Sequence, residues 1–432
     1  MKKIISFISV VIMLTLSISL YAKVTLAVAI PSNANSVKTV KELSAIYMKK
    51  HPNVKINIFN LPNNASDQYG VYLQTFQAKS GDIDVMNIDG IWPGDLAGNL
   101  LNLNKYGAKK LTDTMFKSMV AQGVVNDRQV ALPWYADSPA LYYRTDLLKK
   151  YHLKVPKTWN ELARDAYIIQ QGERKSGNPD FVGYVWEGSA YEGLTCCALE
   201  WIYSDGGGTI VSKNKKVTLD NPNAVKAINM ARSWIGTISP EGVTSMKEEQ
   251  ARNVFEGGNA AFMRNWQYAY VLCNSKESRI RGKFSICRLP EGTAGISANT
   301  SGLEMIGVNK YTKHPKIATD FAIFLCSKEA QKLRALQVGY CPTIKSLYKD
   351  NDLIKKSDYF KLFYDIFMHA VNRPAVQTAP NYNAVSHIFY NAVYSVLIGN
   401  NNASSALAVA ARQISKVTGY PLGKPETSKA LK

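Results

Sequence analysis

Trp134, Tyr135 and Asp137 stand together in the run Ala131-Leu-Pro-Trp-Tyr-Ala-Asp-Ser-Pro-Ala-Leu-Tyr-Tyr143. An ionised carboxylate accepts charge-assisted hydrogen bonds from neighbouring hydroxyls, and an aromatic plane covers apolar C–H surface. Side by side they suit a ligand with a polar rim and apolar faces. Metal or covalent chemistry has less to build on. His51, His152, His314, His369 and His387 are the only histidines, and none has the spacing of a metal pair. The chain has no Gly-x-Ser-x-Gly elbow, no His-Glu-x-x-His and no dinucleotide fingerprint. The turn Asp205-Gly-Gly-Gly208 lacks the strand–helix frame and the Lys-Ser/Thr of a phosphate loop, so it reads as a loop. No cofactor and no metal are expected.

The elements that must hold such residues are legible in the hydrophobic pattern. Residues 24–30 form a short buried-strand run, and 54–59 alternate as a strand does. Between them Val37, Val40, Leu43, Ile46 and Tyr47 keep a helical period. A second helix over 69–78, a strand over 83–88 and a helix over 92–101 follow. Strand and helix in alternation imply a parallel sheet with helical crossovers. In such sheets ligands sit beyond the carboxyl ends of the strands, which singles out the polar loops 31–35, 61–68 and 89–93. Further on, 131–143 reads as a strand leaving one lobe for another, with Thr158-Trp-Asn-Glu161 opening a helix as a capping box. Residues 284–290 read as a second crossing strand, 303–308 as a strand back in the first lobe, and most of the remainder as helix. The expected organisation is α/β and two-lobed. A leader covers 1–22, 23–132 plus 285–330 form the N-terminal lobe, and 133–284 plus 331–432 form the C-terminal lobe. Crossings near Pro133 and Arg288 would serve as hinges.

The compartment follows from the start of the chain. Lys2 and Lys3 precede an almost wholly apolar stretch over 4–20, and Ala22 offers a small residue for cleavage, the pattern of a secretory signal. No cysteine lies near the cut, which argues against a lipid anchor. A periplasmic monomer is expected. The formal charge of +19 becomes 19 − 2 = +17 without Lys2 and Lys3. Because the basic residues are spread along the chain rather than clustered, they read as solubility and not as nucleic-acid binding. In an oxidising compartment, Cys273 with Cys287 and Cys326 with Cys341 are the local disulfide candidates. Buried free thiols are the equal alternative, while Cys196 and Cys197 are adjacent and cannot easily bridge each other.

Four stretches, in order, resemble one family over nearly all of the mature chain. They are Asp82-Ile-Asp-Val-Met-Asn-Ile-Asp-Gly-Ile-Trp-Pro-Gly-Asp95, the segment 134–147, Tyr191-Glu-Gly-Leu-Thr-Cys-Cys-Ala-Leu-Glu-Trp201, and Ala260-Ala-Phe-Met-Arg-Asn-Trp266. The chain resembles the extracellular solute-binding proteins of ABC importers, in the maltose/trehalose-binding branch. The resemblance implies a two-lobed periplasmic-binding-protein fold with a ligand cleft between the lobes, closure on a saccharide and delivery to the transmembrane subunits of a permease. By motif it places Asp89, Tyr135, Asp137, Trp266 and Arg373 against sugar, with Asn33, Asn35 and Glu192 beside them. Two positions depart from the family. Its Gly-Gly-Trp run is here Ser301-Gly-Leu-Glu-Met-Ile-Gly307, so Glu304 replaces a stacking Trp, and Gln68 stands where an Arg is usual. The exchange points to a smaller polyol, an amino sugar or another cationic ligand, unless Glu304 is a salt-bridged structural residue. The alternatives carried forward are the same fold binding a glycerol-phosphodiester, and an envelope glycan-acting enzyme built on paired carboxylates.

Overall fold

The computed structural model describes residues 23–356, 358–368 and 370–425. The expected leader over 1–22 and His369 lie outside the described residues. In chain order the strands are β1 Val24–Pro31, β2 Val54–Leu61, β3 Val85–Asp89, a short hairpin of β4 Val124–Val125 and β5 Arg128–Gln129, then β6 Ala131–Asp137, β7 Pro139–Arg144, β8 Val182–Val185, β9 Ala260–Trp266, β10 Phe284–Cys287 and β11 Gly302–Val308. Nine of them make two sheets, one ordered β2-β1-β3-β11-β6 and the other β10-β7-β9-β8.

The first sheet is built as its sequence dictates. β1 is flanked on both sides by parallel partners, and its residues Val28, Ala29 and Ile30 are wholly buried, as a strand covered on both faces must be. The edge strand β2 buries only every second side chain over much of its length. The helices Ala34–Lys50 and Ala65–Gln77 provide the crossovers. Each starts on an asparagine cap: Asn33 accepts the backbone N–H of Ser36 at 2.9 Å and Asn64 that of Asp67 at 3.0 Å. Lys49 and Lys50 close the first helix, where the dipole favours cations. β11 runs antiparallel to both β3 and β6.

In the second sheet β7 lies antiparallel to β9 and β10, and β8 parallel to β9. The chain passes from the first sheet to the second at Ser138, between β6 and β7, and returns between β10 and β11. Pro133 lies inside the first sheet, paired with Met305, and 284–287 pairs with β7 in the second sheet, so Arg288 is the first residue of the return passage. One buried cluster runs under both sheets, taking Leu26 and Ile30 from the first and Tyr142, Met263 and Ile286 from the second. The helices Tyr382–Leu397 and Ala403–Thr418 pack outside the helices Glu192–Ser204 and Pro222–Trp234 of the second lobe through Phe389, Val393, Leu407 and Ile414.

Neither local disulfide candidate is joined: all six cysteines are free thiols, five of them buried. The reason is geometric. Along β10, Phe284 and Ile286 face the cluster that contains Cys273, whereas Cys287 packs on the opposite face, since successive side chains of a strand alternate. The Cys326 thiol lies 4.0 Å from the carbonyl of Leu132, while the Cys341 carbonyl accepts the N–H of Ala136 at 2.9 Å. Those two strand residues are about 13 Å apart at the usual rise, well beyond the ~7 Å a disulfide spans.

Candidate functional site

A cleft with about 930 Å³ of space, open solvent at its mouth included, lies where the two sheets meet. The carboxyl ends of β1, β3, β6 and β9 all reach it, through Pro31, Asp89, Asp137 and Trp266. Nine of the ten residues expected at a site line it: Asn33, Gln68, Asp89, Tyr135, Asp137, Glu192, Trp266, Glu304 and Arg373. The tenth, Asn35, belongs to the helix Ala34–Lys50, and its side chain lies outside the described residues.

Arg373 ties the walls together. Its guanidinium donates to both carboxylate oxygens of Asp89, at 3.0 and 3.3 Å, and to Glu192 at 2.9 Å. Asp89 ends β3 of the first sheet, and Glu192 opens the helix Glu192–Ser204, which packs on the second. Glu192 also accepts the hydroxyls of Tyr382 at 2.6 Å and Ser386 at 2.5 Å, and the Ser66 hydroxyl accepts its backbone N–H at 3.3 Å. These partners satisfy a carboxylate that burial alone would disfavour. Even so, burial outweighs Arg373 and raises the Glu192 carboxyl above its ordinary range.

The floor is a single line across the first sheet. Glu304 on β11 is in register with Asp89 on one side and Tyr135 on the other, beside a β-bulge between Glu304 and Met305. The Asn87 amide donates to the Glu304 carboxylate. Among the described residues no Lys or Arg forms an ion pair with it, which leaves the salt-bridged structural reading of Glu304 without support. Burial pushes its carboxyl up to about 8, and Asp89 adds to the rise. Asp137, one strand over, accepts the backbone N–H of Gln267 at 3.3 Å. Burial raises it to about 7, against the backbone bonds from Gln267 and Ser138 and the nearby Arg264 charge.

Aromatic faces complete the walls. Tyr135 stacks on Tyr340 with centroids 4.2 Å apart and planes within 3°. Trp266 ends β9, donates from its indole N–H to Glu187 at 3.3 Å, and is covered by the Arg264 guanidinium 4.6 Å from the ring centroid. Arg264 itself is buried between Glu187, at 2.7 Å, and Glu200, at 2.6 Å, a fork that fixes the end of β9 behind the ring. Gln68 donates to the Pro62 carbonyl at 3.0 Å and so holds its own loop. Asn33 spends its side-chain oxygen on the helix cap.

Four lining residues escaped the sequence reading: Tyr268, Tyr340, Glu248 and Glu249. Tyr340 follows Gly339, whose φ of 78° ends the helix Lys328–Val338 in the left-handed conformation and turns the ring back over Tyr135. That glycine was the one local signal. The other three come from segments placed only by tertiary packing, with the Tyr268 hydroxyl donating to Glu249 at 2.5 Å. Together the described lining residues supply six carboxylates, at Asp89, Asp137, Glu192, Glu248, Glu249 and Glu304, against the single cation Arg373.

Residues 32–332 match the family model of the bacterial extracellular solute-binding proteins. A probable ABC transporter-binding protein of Deinococcus radiodurans is 44% identical over 397 residues, covering 92% of this chain and 94% of that protein. The maltose-bound structure of T. maritima MalE3 is 32% identical, with a TM-score of 0.86 over 91% of this chain and all of the other. The solute-binding protein of Thermotoga lettingae bound with α-D-tagatose shares the fold at 22% identity, with a TM-score of 0.82 over 92% of this chain and 100% of that one. Fold, cleft and sequence agree: the chain belongs to the bacterial extracellular solute-binding proteins of ABC transporters.

Proposed function

We propose that the chain captures a small saccharide or polyol in the cleft between its two sheets and carries it, closed around the ligand, to a membrane permease. The observation that supports this most is the meeting of both walls at Arg373, beside stacked aromatic rings and free carboxylate oxygens. Hydroxyls around a sugar ring find paired acceptors in Asp89, Asp137 and Glu304, and its C–H faces find Tyr135, Tyr340 and Trp266. A ligand that touches both walls binds the closed arrangement better than the open one, and that difference is what shifts the population. The passages at Ser138 and between β10 and β11 are where a rotation of one sheet against the other would be absorbed. Export through the leader over 1–22 and action as a periplasmic monomer complete the reading.

The relatives bind solutes rather than transform them, which weighs against a glycan-acting enzyme. The glycerol-phosphodiester alternative is disfavoured by charge, because an anion would enter a wall with six carboxylates and one already paired Arg. A thermal-shift screen of mono- and disaccharides, including trehalose and maltose, with polyols, amino sugars and glycerol-phosphodiesters, tests the proposal. A ligand at about 100 times its Kd stabilises the native form by ~2.7 kcal/mol. At least one saccharide or polyol is expected to raise melting, and Trp266→Ala with Asp137→Asn to abolish the rise. Stabilisation by phosphodiesters alone would refute the assignment.

A further inference from the structure

We infer that the favoured ligand of this cleft is a polyhydroxylated ring bearing an ammonium group, an amino sugar in its unacetylated form, with the cation seated over Asp89, Asp137 and Glu304. The inference rests on the saccharide reading above and sharpens its substrate class.

Charge distribution is the first support. The whole chain has 52 Lys and Arg against 33 Asp and Glu, yet the described cleft wall reverses that balance with six acids to one Arg. A basic protein that concentrates carboxylates at one concave place holds them for something positive. Asp89 and Glu192 already take the two terminal nitrogens of Arg373, whose Nε is left without a partner, and Glu249 is paired with Arg252 at 2.7 Å. Glu304 and Asp137 therefore face the cleft with hydrogen bonds from Asn87 and from the Gln267 backbone, and without an ion-pair partner among the described residues.

The second support is a pair of unsatisfied amide oxygens on the residues that hold the same two carboxylates. Asn87 and Gln267 are each wholly buried. Asn87 gives its amide to Glu304, and Gln267 gives its side-chain amide to the Ala136 carbonyl at 2.7 Å, but both amide oxygens are left with no donor. Orphaned buried acceptors are uncommon and costly. An ammonium brings three N–H donors and no acceptor to carboxylates whose neighbours already hold unused acceptor oxygens. A neutral hydroxyl brings one donor and adds an acceptor.

The aromatic surfaces fit the same ligand. Tyr135, Tyr340, Trp266 and Tyr268 share the cleft with the carboxylates, and π faces attract a cation as well as covering C–H surface. Burial pushes the Glu304 and Asp137 carboxyls up to about 8 and about 7, and a cation seated beside them favours their ionised forms, so that an amine gains an ion pair that a neutral hydroxyl does not.

The test uses calorimetric titration of the mature protein at pH 7 with matched probes: glucosamine, galactosamine and the glucosamine disaccharide, each against its N-acetylated form and its neutral hydroxy counterpart. At least one amine is expected to bind tenfold or more tightly than both of its partners. Glu304→Gln, which removes the charge but keeps the shape, and Asp137→Asn are each expected to erase most of that ratio. A neutral saccharide that binds as tightly as its amine, or a preference that survives both substitutions, overturns the inference and leaves the saccharide reading standing. If no saccharide of either kind binds, the saccharide reading falls and takes the inference with it.

Discussion

Replacing Arg373 by Met removes the cation that joins the two walls and leaves its volume largely filled. Arg373 and its partners are all buried, with side-chain exposures of 4% for Arg373, 13% for Asp89 and 7% for Glu192. Removing one partner of a buried ion pair typically costs ~3–5 kcal/mol, because the charge left behind is uncompensated. Asp89 bears most of that cost, since it loses both bonds to the guanidinium, whereas Glu192 keeps Tyr382 and Ser386. Unfolding entropy near ~2.1 cal/mol/K per residue, over roughly 400 residues, gives about 0.85 kcal/mol per degree. Arg373→Met should therefore lower Tm by about 4–6 °C in a calorimetric scan. Adding Asp89→Asn removes the stranded charge and should recover a good part of the loss, so that the two substitutions are strongly non-additive. A single variant that melts within a degree of the parent, or a double variant with simply additive losses, would refute the view that Arg373 holds the walls by charge.

Other consequences follow from the same contacts. Glu304 and Asp137 have carboxyls raised by burial to about 8 and about 7, so the folded chain binds more protons than the unfolded one between about pH 4.5 and 8. Stability of the unliganded protein should fall as pH rises through that window, and Glu304→Gln should flatten the slope. A Tm that climbs with pH across it, or an unchanged slope in the variant, would contradict this. All six cysteines should remain reactive toward a thiol reagent once the chain is unfolded, with few accessible before, and reductant should not move Tm. Fewer than six titratable thiols after unfolding without reductant would show a disulfide. Arg264→Met should lower stability by about 3–5 kcal/mol, because it strands both Glu187 and Glu200 in the interior. Denaturant titration reads it directly, and a loss below 1 kcal/mol would refute it.

Much of the scaffold was readable because it depends on short-range pattern. The apolar runs that became β1 and β3, the helical period before Lys50 and the capping box of Thr158 with Glu161 are all local signals. The run 131–143 was harder. Its even apolar character reads as one strand, but the chain changes sheets at Ser138 within it. Cysteine spacing misled for a related reason: distance along the chain does not say which face of a strand a thiol occupies, and Cys273 and Cys287 occupy different ones. At the cleft, Asp89, Tyr135, Asp137 and Trp266 were visible through the family's ordered motifs; Asp89, Asp137 and Trp266 end their strands, and Tyr135 lies two residues before the end of β6. Tyr340, Tyr268, Glu248 and Glu249 arrive from helix ends and loops, where position is set by packing between distant segments and leaves little trace in the local pattern.

The central claim is capture by closure, and small-angle scattering of the mature protein tests it most directly. The radius of gyration should decrease when a stabilising saccharide is added to saturation, and the decrease should vanish in Asp137→Asn with Trp266→Ala at the same ligand concentration. Tight binding with unchanged dimensions would contradict the account.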